Sequence, residues 1–283
     1  MSFFTNHEIS KLTASDRKAN SYVVVKDNAF DDIINDIHHD VKILKDHLRP
    51  AQMSRGEDTW TDEYFRGDSL CWITPALCEE LKLRGLQEYI SRMMLNCSMF
   101  SDSLGILNEG YNVQFAVYPG KGEGYNRHKD AFLSSSTTPS RQLTCLLYLN
   151  KFWEPNDGGQ LRVFTYPGIE VDGAGVTSHP FNFWGVHGAD IDPLFGRLVA
   201  FRSELVEHAV LPCFSERMAI TFWANGTGPT ISGNDGVFTN GGDETFIFAA
   251  PASLSTCSQQ MSSLADASSE NSDDNECRDS DSN

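Results

Sequence analysis

The alternation of apolar and polar positions divides the chain into a helical first part, a strand-rich middle and an unpatterned end. Residues 1–20 are polar and without a period, as expected of a disordered N-terminus, and Ser21-Tyr22-Val23-Val24-Val25-Lys26 is a β-branched run that predicts a strand. Phe30, Ile33, Ile34, Ile37, Val41, Leu44 and Leu48 then recur at three- and four-residue steps, one face of a helix. Asp27 or Asn28 is available to cap its start, and Pro50 follows its end. Residues 51–69 hold charges and aromatics without a period and read as an exposed excursion. Thr74-Pro75 has the form of a second helix start, and Leu83, Leu86, Ile90, Met93 and Cys97 mark its core side. Leu77 and Leu81 fall on the opposite face, so either the helix breaks near Gly85 or its first turns are buried differently.

From Val113 the period shortens. Val113, Phe115 and Val117 alternate with polar or small neighbours, and apolar runs follow at Leu143–Leu149, Leu161–Phe164, Leu198–Phe201 and Ile220–Trp223. Short strands broken by glycine, proline and asparagine predict an all-β sandwich or barrel with the two helices packed outside it. One domain over 21–248 is expected, with a long insertion loop over 165–196. The segment 249–283 is rich in Ser, Asp, Asn and Glu and reads as a disordered acidic tail.

Composition narrows the classes. With 283 residues, 40% of them hydrophobic, the chain can bury one sizeable core. No apolar run is long enough for a membrane span, and no apolar stretch follows a basic one at the N-terminus as a secretory signal requires. The seven cysteines are odd in number and form no Cys-x-x-Cys pair, which argues against a disulfide framework or a zinc knuckle and for a cytoplasmic or nuclear setting. A net charge of −17 weighs against a nucleic-acid partner, which needs cations to displace counterions. From Asp266 onward seven acidic residues face one arginine, so part of that charge belongs to the tail.

The candidate chemistry sits in the strand-rich part. His128 and Asp130 in Tyr125-Asn126-Arg127-His128-Lys129-Asp130, with His208 in Glu207-His208-Ala209-Val210, are two histidines and a carboxylate. Such a set can hold one face of an octahedral iron(II) and leave the other open. A His-x-Asp pair alone is weak among eight histidines, but here it follows the glycine-rich Pro119–Gly124, where the backbone can turn tightly. Arg217, nine residues after His208, is placed to grip the far carboxylate of a dicarboxylic acid whose other end chelates the metal. His187, with Arg197 ten residues on, is the main competitor for the third ligand position. His38, His39 and His47 lie on the first helix and are expected to be solvated, and His7 and His179 carry no usable pattern.

Val117–Asp130, in full Val-Tyr-Pro-Gly-Lys-Gly-Glu-Gly-Tyr-Asn-Arg-His-Lys-Asp, resembles the metal-binding stretch of the prolyl hydroxylases that act on hypoxia-inducible factor. Arg141–Lys151 and Gly158–Phe164 are similar to the strands that follow it in that family, and Arg66-Gly67-Asp68 before Trp72-Ile73 resembles a segment near its substrate peptide. The likeness runs from about Ser21 to Asn225. It implies a double-stranded β-helix, a jelly-roll or cupin-like core, and a 2-oxoglutarate-dependent dioxygenase using Fe(II), O2 and ascorbate. By the same resemblance His128, Asp130 and His208 would bind the metal, and Tyr148 with Arg217 would hold the distal carboxylate of 2-oxoglutarate. Tyr118 would contact the co-substrate, and Thr221 would sit close to Asp130. Leu146, Leu161 and Trp223 would wall the pocket. Arg141 would face the substrate or the pocket entrance, with Arg66 and Asp68 also on the substrate side.

Read without the resemblance, Tyr118 and Tyr148 are strand aromatics filling a barrel, Arg217 is a surface cation, and Leu146, Leu161 and Trp223 are core under either reading. The chain departs from the family between Phe164 and Arg197, where its connection is longer and carries Phe181, Phe183 and Trp184 as material for a lid or docking patch. The expected activity is C4 hydroxylation of a proline in a protein partner by a monomer, with no nucleic acid or membrane involved, and an oxygen-sensing role as a further step. The same chemistry on a free amino acid, another small molecule or another side chain is the first alternative. A β-barrel that docks partners without turnover is the second.

Overall fold

Along Ser140–Tyr148 every residue from Arg141 onward is buried, because the strand is covered on both faces. The computed structural model describes residues 2–14, 21–55, 58–62, 64–131, 140–165, 169–173, 176–180 and 187–227, all within the unit Met1–Phe248. The chain enters through helix α1 (Asn6–Leu12), strand β1 (Ser21–Lys26) and helix α2 (Ile34–Leu44), followed by four short strands, β2 (Arg49–Pro50), β3 (Met53–Arg55), β4 (Asp58–Trp60) and β5 (Ser69–Trp72). Helices α3 (Pro75–Glu80), α4 (Arg84–Cys97) and α5 (Ser101–Leu104) lead into β6 (Ile106–Tyr118), β7 (Glu123–His128), β8 (Ser140–Tyr148), β9 (Leu161–Thr165) and β10 (Ile169–Asp172). The last strands are β11 (Val176–Pro180), β12 (His187–Ile191), β13 (Leu198–Arg202), β14 (Glu207–Cys213) and β15 (Arg217–Gly226).

The major sheet runs β10-β1-β13-β8-β15-β6-β5-β2 and the minor sheet β11-β12-β9-β14-β7, while β3 and β4 form a separate hairpin. Pairing is antiparallel except where β10 joins β1. Alternation sorts each strand between two cores. Leu143, Cys145 and Leu147 of β8 with Met218, Ile220 and Phe222 of β15 face α2 and α4. Leu146 and Tyr148 with Ala219 face Leu161, Val163, Ala189 and Ile191 of the minor sheet. This is the double-stranded β-helix with helices outside that the resemblance implies. Among the described residues no helix is long and apolar enough to cross a membrane.

Several local expectations change. Residues 2–14 are not unstructured: Thr5 and Glu8 form a reciprocal capping box at the start of α1, Phe4 and Leu12 are buried, and Glu8 pairs with Lys26 of β1. Residues 15–20 and the tail 249–283 lie outside the described residues. Neither Asp27 nor Asn28 caps α2, whose first turn has no side-chain cap; Asn28 takes a left-handed turn and Asp27 pairs with Arg197. His38 is buried rather than solvated, edge-on to the Phe195 ring, and desolvation pushes its pKa down to about 4. His39 and His47 are exposed, as expected. The second helix does break: α3, capped by the Thr74 hydroxyl, ends at Leu81, Lys82 adopts a positive φ, and α4 starts anew. Asp40 of α2 supplies the missing cap by accepting from Leu86 N at 3.0 Å.

The segment 165–196 is not a loop. β12 lies inside the minor sheet between β11 and β9, and β10 extends the major sheet beside β1. Its polar, glycine-rich sequence hid strands held by ladder hydrogen bonds more than by apolar side chains. Phe181, Phe183 and Trp184 lie outside the described residues.

Candidate metal centre

β7 and β14 are antiparallel neighbours at one edge of the minor sheet, and their register sets His128 opposite His208 with ring centroids 4.3 Å apart. Asp130 follows two residues beyond β7, and its Oδ1 lies 3.7 Å from His128 Nε2 and 3.8 Å from His208 Nε2. The three ligand atoms fall within 4.8 Å of one another, and among the described residues this is the cluster able to hold a metal ion.

The hydrogen bonds behind these atoms orient them. Nδ1 of His128 is 2.7 Å from Asn126 O and Nδ1 of His208 is 3.1 Å from Val206 O. A carbonyl can only accept, so each Nδ1 carries the proton and each Nε2 presents a lone pair to the space beside Asp130 Oδ1. Burial, helped by the neighbouring His128, pushes His208 down to about 4, which keeps it neutral and able to ligate. Asp130 is fully ionised: burial opposes its charge, but His208, His128 and Arg141 outweigh it and hold the carboxyl well below its usual range. Its other oxygen, Oδ2, accepts from Thr144 Oγ1 at 2.8 Å and Trp223 Nε1 at 3.1 Å. Two imidazoles and a carboxylate, each directed from behind, suit an iron(II) ion.

Arg217 and Tyr148 lie on the inner face of the major sheet. Arg217 begins β15, is 3% exposed, and donates Nε to Gly159 O at 2.8 Å, while its Nη2 has no partner. Gly159 has a positive φ, and a Cβ there would come within 2.9 Å of Arg217 Cδ, so the glycine leaves room for the guanidinium. The Tyr148 hydroxyl is likewise buried without a partner, and Arg217 Cζ stands 5.1 Å from its ring and 5.2 Å from that of Tyr118. Burial raises the Tyr148 pKa and the nearby cation partly offsets the rise. Buried donors without acceptors are costly, so a cation and a phenol left open together are suited to an anion. Between Arg217 and Trp223 the inner face of β15 carries only Ala219 and Thr221, both small, flanked by Leu146 and Leu161. The donor set fits 2-oxoglutarate with its distal carboxylate at Arg217.

The sequence-derived candidates largely converge here. Trp223 does more than wall the pocket, since it bonds Asp130 and carries Arg141 Cζ 3.9 Å over its ring. Thr221 lies on the same inner face of β15 as Trp223, and among the described residues the hydrogen bonds to Asp130 come from Thr144 and Trp223. Residues 51–69 are less exposed than expected. Arg66 and Asp68 form a two-pronged ion pair with a fully buried carboxylate, and Asn126 N donates to Phe65 O, which docks this segment on the edge of β7. Arg66 Cζ lies 4.8 Å over Tyr125, and Tyr125 stacks on His128 at 3.6 Å. His187 is paired by register with Thr165 and Pro180, and Arg197 is bound by Asp27 at 2.7 Å. Thr144, Ser203 and Tyr125 were missed as site residues. Thr144 was open to inference, because it shares the inner face of β8 with Leu146 and Tyr148.

Residues 113–225 match the model of the 2OG-Fe(II) oxygenase superfamily. Over part of its length the chain is similar to the EGLN prolyl hydroxylases. It is 31% identical to prolyl hydroxylase EGLN3 of Homo sapiens over 182 residues, 62% of this chain and 65% of that protein. To Egl nine homolog 1 of Homo sapiens it is 33% identical over 164 residues, 56% of this chain and 33% of that protein. The chain thus spans just under two thirds of the first relative and a third of the second. Among solved structures it resembles a Pseudomonas putida prolyl-4-hydroxylase, with TM-score 0.56 and 27% identity over 76% of this chain and 98% of that one. It also resembles a Trichoplax adhaerens prolyl hydroxylase in complex with a hypoxia-inducible-factor peptide, with TM-score 0.58 and 25% identity over 78% and 88%.

Proposed function

We propose that this chain is a 2-oxoglutarate- and Fe(II)-dependent dioxygenase that hydroxylates a proline of a partner protein at C4. The observation that carries the proposal is the pairing of the His128–Asp130–His208 cluster with the unpartnered donors of Arg217 and Tyr148. Bound iron(II), with 2-oxoglutarate and oxygen, supplies the oxidation that inserts one oxygen atom into a C–H bond while the other enters succinate and carbon dioxide leaves. The protein's own task is placement. His128 and His208 would hold the metal through Nε2 and Asp130 through Oδ1, and Arg217 with Tyr148 would fix the far carboxylate of the co-substrate. Leu146 and Leu161 keep water from the space between.

Arg141, stacked on Trp223, and Arg66, held by Asp68 over Tyr125, flank the metal ligands and are assigned to the substrate side. A monomer is the working unit of the proposal. The five described cysteines are free and buried, which supports a reducing compartment, cytoplasmic or nuclear. An oxygen-sensing role is part of the proposal, on the likeness to a prolyl hydroxylase solved with a hypoxia-inducible-factor peptide.

The test is succinate release by the purified chain with iron(II), ascorbate and 2-oxoglutarate, with and without proline-containing peptides. Peptide-stimulated succinate and a gain of about 16 daltons on one proline are expected. Turnover indifferent to every peptide would move the chemistry to another substrate, and no turnover with iron bound would leave a docking protein.

A further inference from the structure

The two hydrogen bonds on Asp130 Oδ2 are the visible end of a longer arrangement. Thr144 Oγ1 lies 2.8 Å from Asp130 Oδ2 and also 2.8 Å from Ser203 Oγ. An ionised carboxylate can only accept, so the single Thr144 proton is committed to Asp130. The contact with Ser203 must then run the other way, with Ser203 donating to Thr144. The chain Ser203→Thr144→Asp130 therefore has one allowed direction, and it ends on the oxygen that faces away from the two histidine Nε2 atoms.

Ser203 holds the same segment a second time through its backbone. Ala131 N, next to Asp130, donates to Ser203 O at 3.3 Å, and Ser203 N donates to Gln142 O at 3.1 Å. Ser203 is 0% exposed, as is Thr144, so neither hydroxyl exchanges its partner for water. It follows β13, three residues before Val206, whose carbonyl fixes the tautomer of His208. One turn thus reaches the carboxylate ligand by side chain and backbone and reaches a histidine ligand through its own continuation.

We infer that Ser203 and Thr144 form a clasp that positions Asp130, occupying Oδ2 so that only Oδ1 is offered to the metal. A carboxylate free to rotate could give both oxygens and cover a coordination position that co-substrate and oxygen need. With Oδ2 held by Thr144 and by Trp223 from the other side, that rotation costs two buried hydrogen bonds. Both are positioning residues, acting through Asp130. The inference rests on the proposed metal centre and extends it to residues beyond the ligands.

The experiment is metal titration of the full chain with cobalt(II), following its visible d–d absorption, for parent, Thr144→Val, Thr144→Ser and Ser203→Ala. Thermal unfolding of each metal-free protein is run alongside. Thr144→Val keeps the volume and loses the donor, so about a 10- to 100-fold weaker affinity is expected, with a changed band shape as Asp130 is released. Ser203→Ala should move affinity in the same direction by less, because Thr144 can still bond Asp130. Thr144→Ser retains the donor and should restore both affinity and spectrum, a rescue that would not follow from packing alone. Variants that bind cobalt(II) as tightly as the parent, with its spectrum, would overturn the clasp and leave the metal centre standing. A parent that took up no cobalt(II) would overturn the metal centre itself, and the clasp with it.

Discussion

Replacing Tyr148 by phenylalanine should make the unliganded protein more stable while weakening its hold on 2-oxoglutarate. The hydroxyl is fully buried and its proton finds no acceptor, although the Arg217 guanidinium, with Cζ 5.1 Å from the ring, lies beside it. A buried hydroxyl left unsatisfied costs about 1–3 kcal/mol. The ring itself packs among Leu161, Val163 and Ala219, and phenylalanine keeps that packing. Removing the oxygen recovers part of the penalty, offset by the small void left behind. A gain of about 1 kcal/mol follows, or roughly 2–4 °C in Tm for a domain of this size. The co-substrate effect has the opposite sign. A hydrogen bond to a charged group contributes about 1.5–3 kcal/mol, and tenfold in affinity corresponds to about 1.4 kcal/mol. Affinity for 2-oxoglutarate should therefore fall by about 10- to 100-fold. The assay is thermal unfolding of parent and Tyr148→Phe without ligand, followed by 2-oxoglutarate titration of the metal-loaded proteins. A variant less stable than the parent, with unchanged co-substrate affinity, would refute the reasoning. It would mean that the hydroxyl is already bonded to Arg217 in the unliganded protein and serves the core.

Arg217→Ala removes the cation, and the KM for 2-oxoglutarate should rise by about 100-fold or more, read from succinate release; an unchanged KM would move the anchor elsewhere. Asp27→Asn leaves the buried Arg197 without its carboxylate. Because Asp27 is itself partly exposed, the cost should be about 1–2 kcal/mol of stability by denaturant unfolding, with 2-oxoglutarate affinity unaltered. A lost co-substrate affinity would revive Arg197 as the anchor. His38 has a folded pKa of about 4 against the usual 6.5, so the unfolded chain takes up its proton first as pH falls. Stability attributable to His38 is therefore fully present above pH 6.5 and declines from 6.5 toward 4. His38→Leu should flatten the fall of Tm across that window, and a parallel fall in parent and variant would refute the assignment.

What could be read from the sequence depended on whether one period or one residue carried the information. The strands β6, β8, β9, β13 and β15 declared themselves because a sheet covered on both faces gives runs such as Leu143–Leu149 with few polar breaks. The break between α3 and α4 showed as a clash of faces between Leu77 and Leu83, though only the backbone at Lys82 resolves it. The strands β10, β11 and β12 escaped notice because Gly188, Asp190, Glu170 and Asp172 give no apolar period; their pairing is a property of the neighbouring strands. The metal ligands were legible because their residue types and order are restrictive. Their supports were not. The face of β8 places Thr144 toward the site, but nothing local in Ser203 says that it meets Thr144, 59 residues away, beside Asp130. His38 was misread for the same reason, since what buries it is Phe195, far along the chain.

The division of labour between the two sheets explains why those supports matter. His128 and His208 belong to the minor sheet, whereas Arg217, Tyr148, Trp223 and Thr144 belong to the major sheet. A co-substrate bridging metal and guanidinium therefore spans the gap between sheets, and its fit depends on their separation. That separation is set in the interior by Leu161, Val163, Ala189 and Ile191 packing against Leu146, Val199 and Phe201. At the metal end it is set by Asp130, which leaves β7 and is bonded by β8 and β15. Asp130 is thus both a ligand and a tie across the sheets. Changing it to asparagine should loosen the tie as well as weaken the metal. A change confined to ligand chemistry would leave the spacing, and with it the grip of Arg217, as it was.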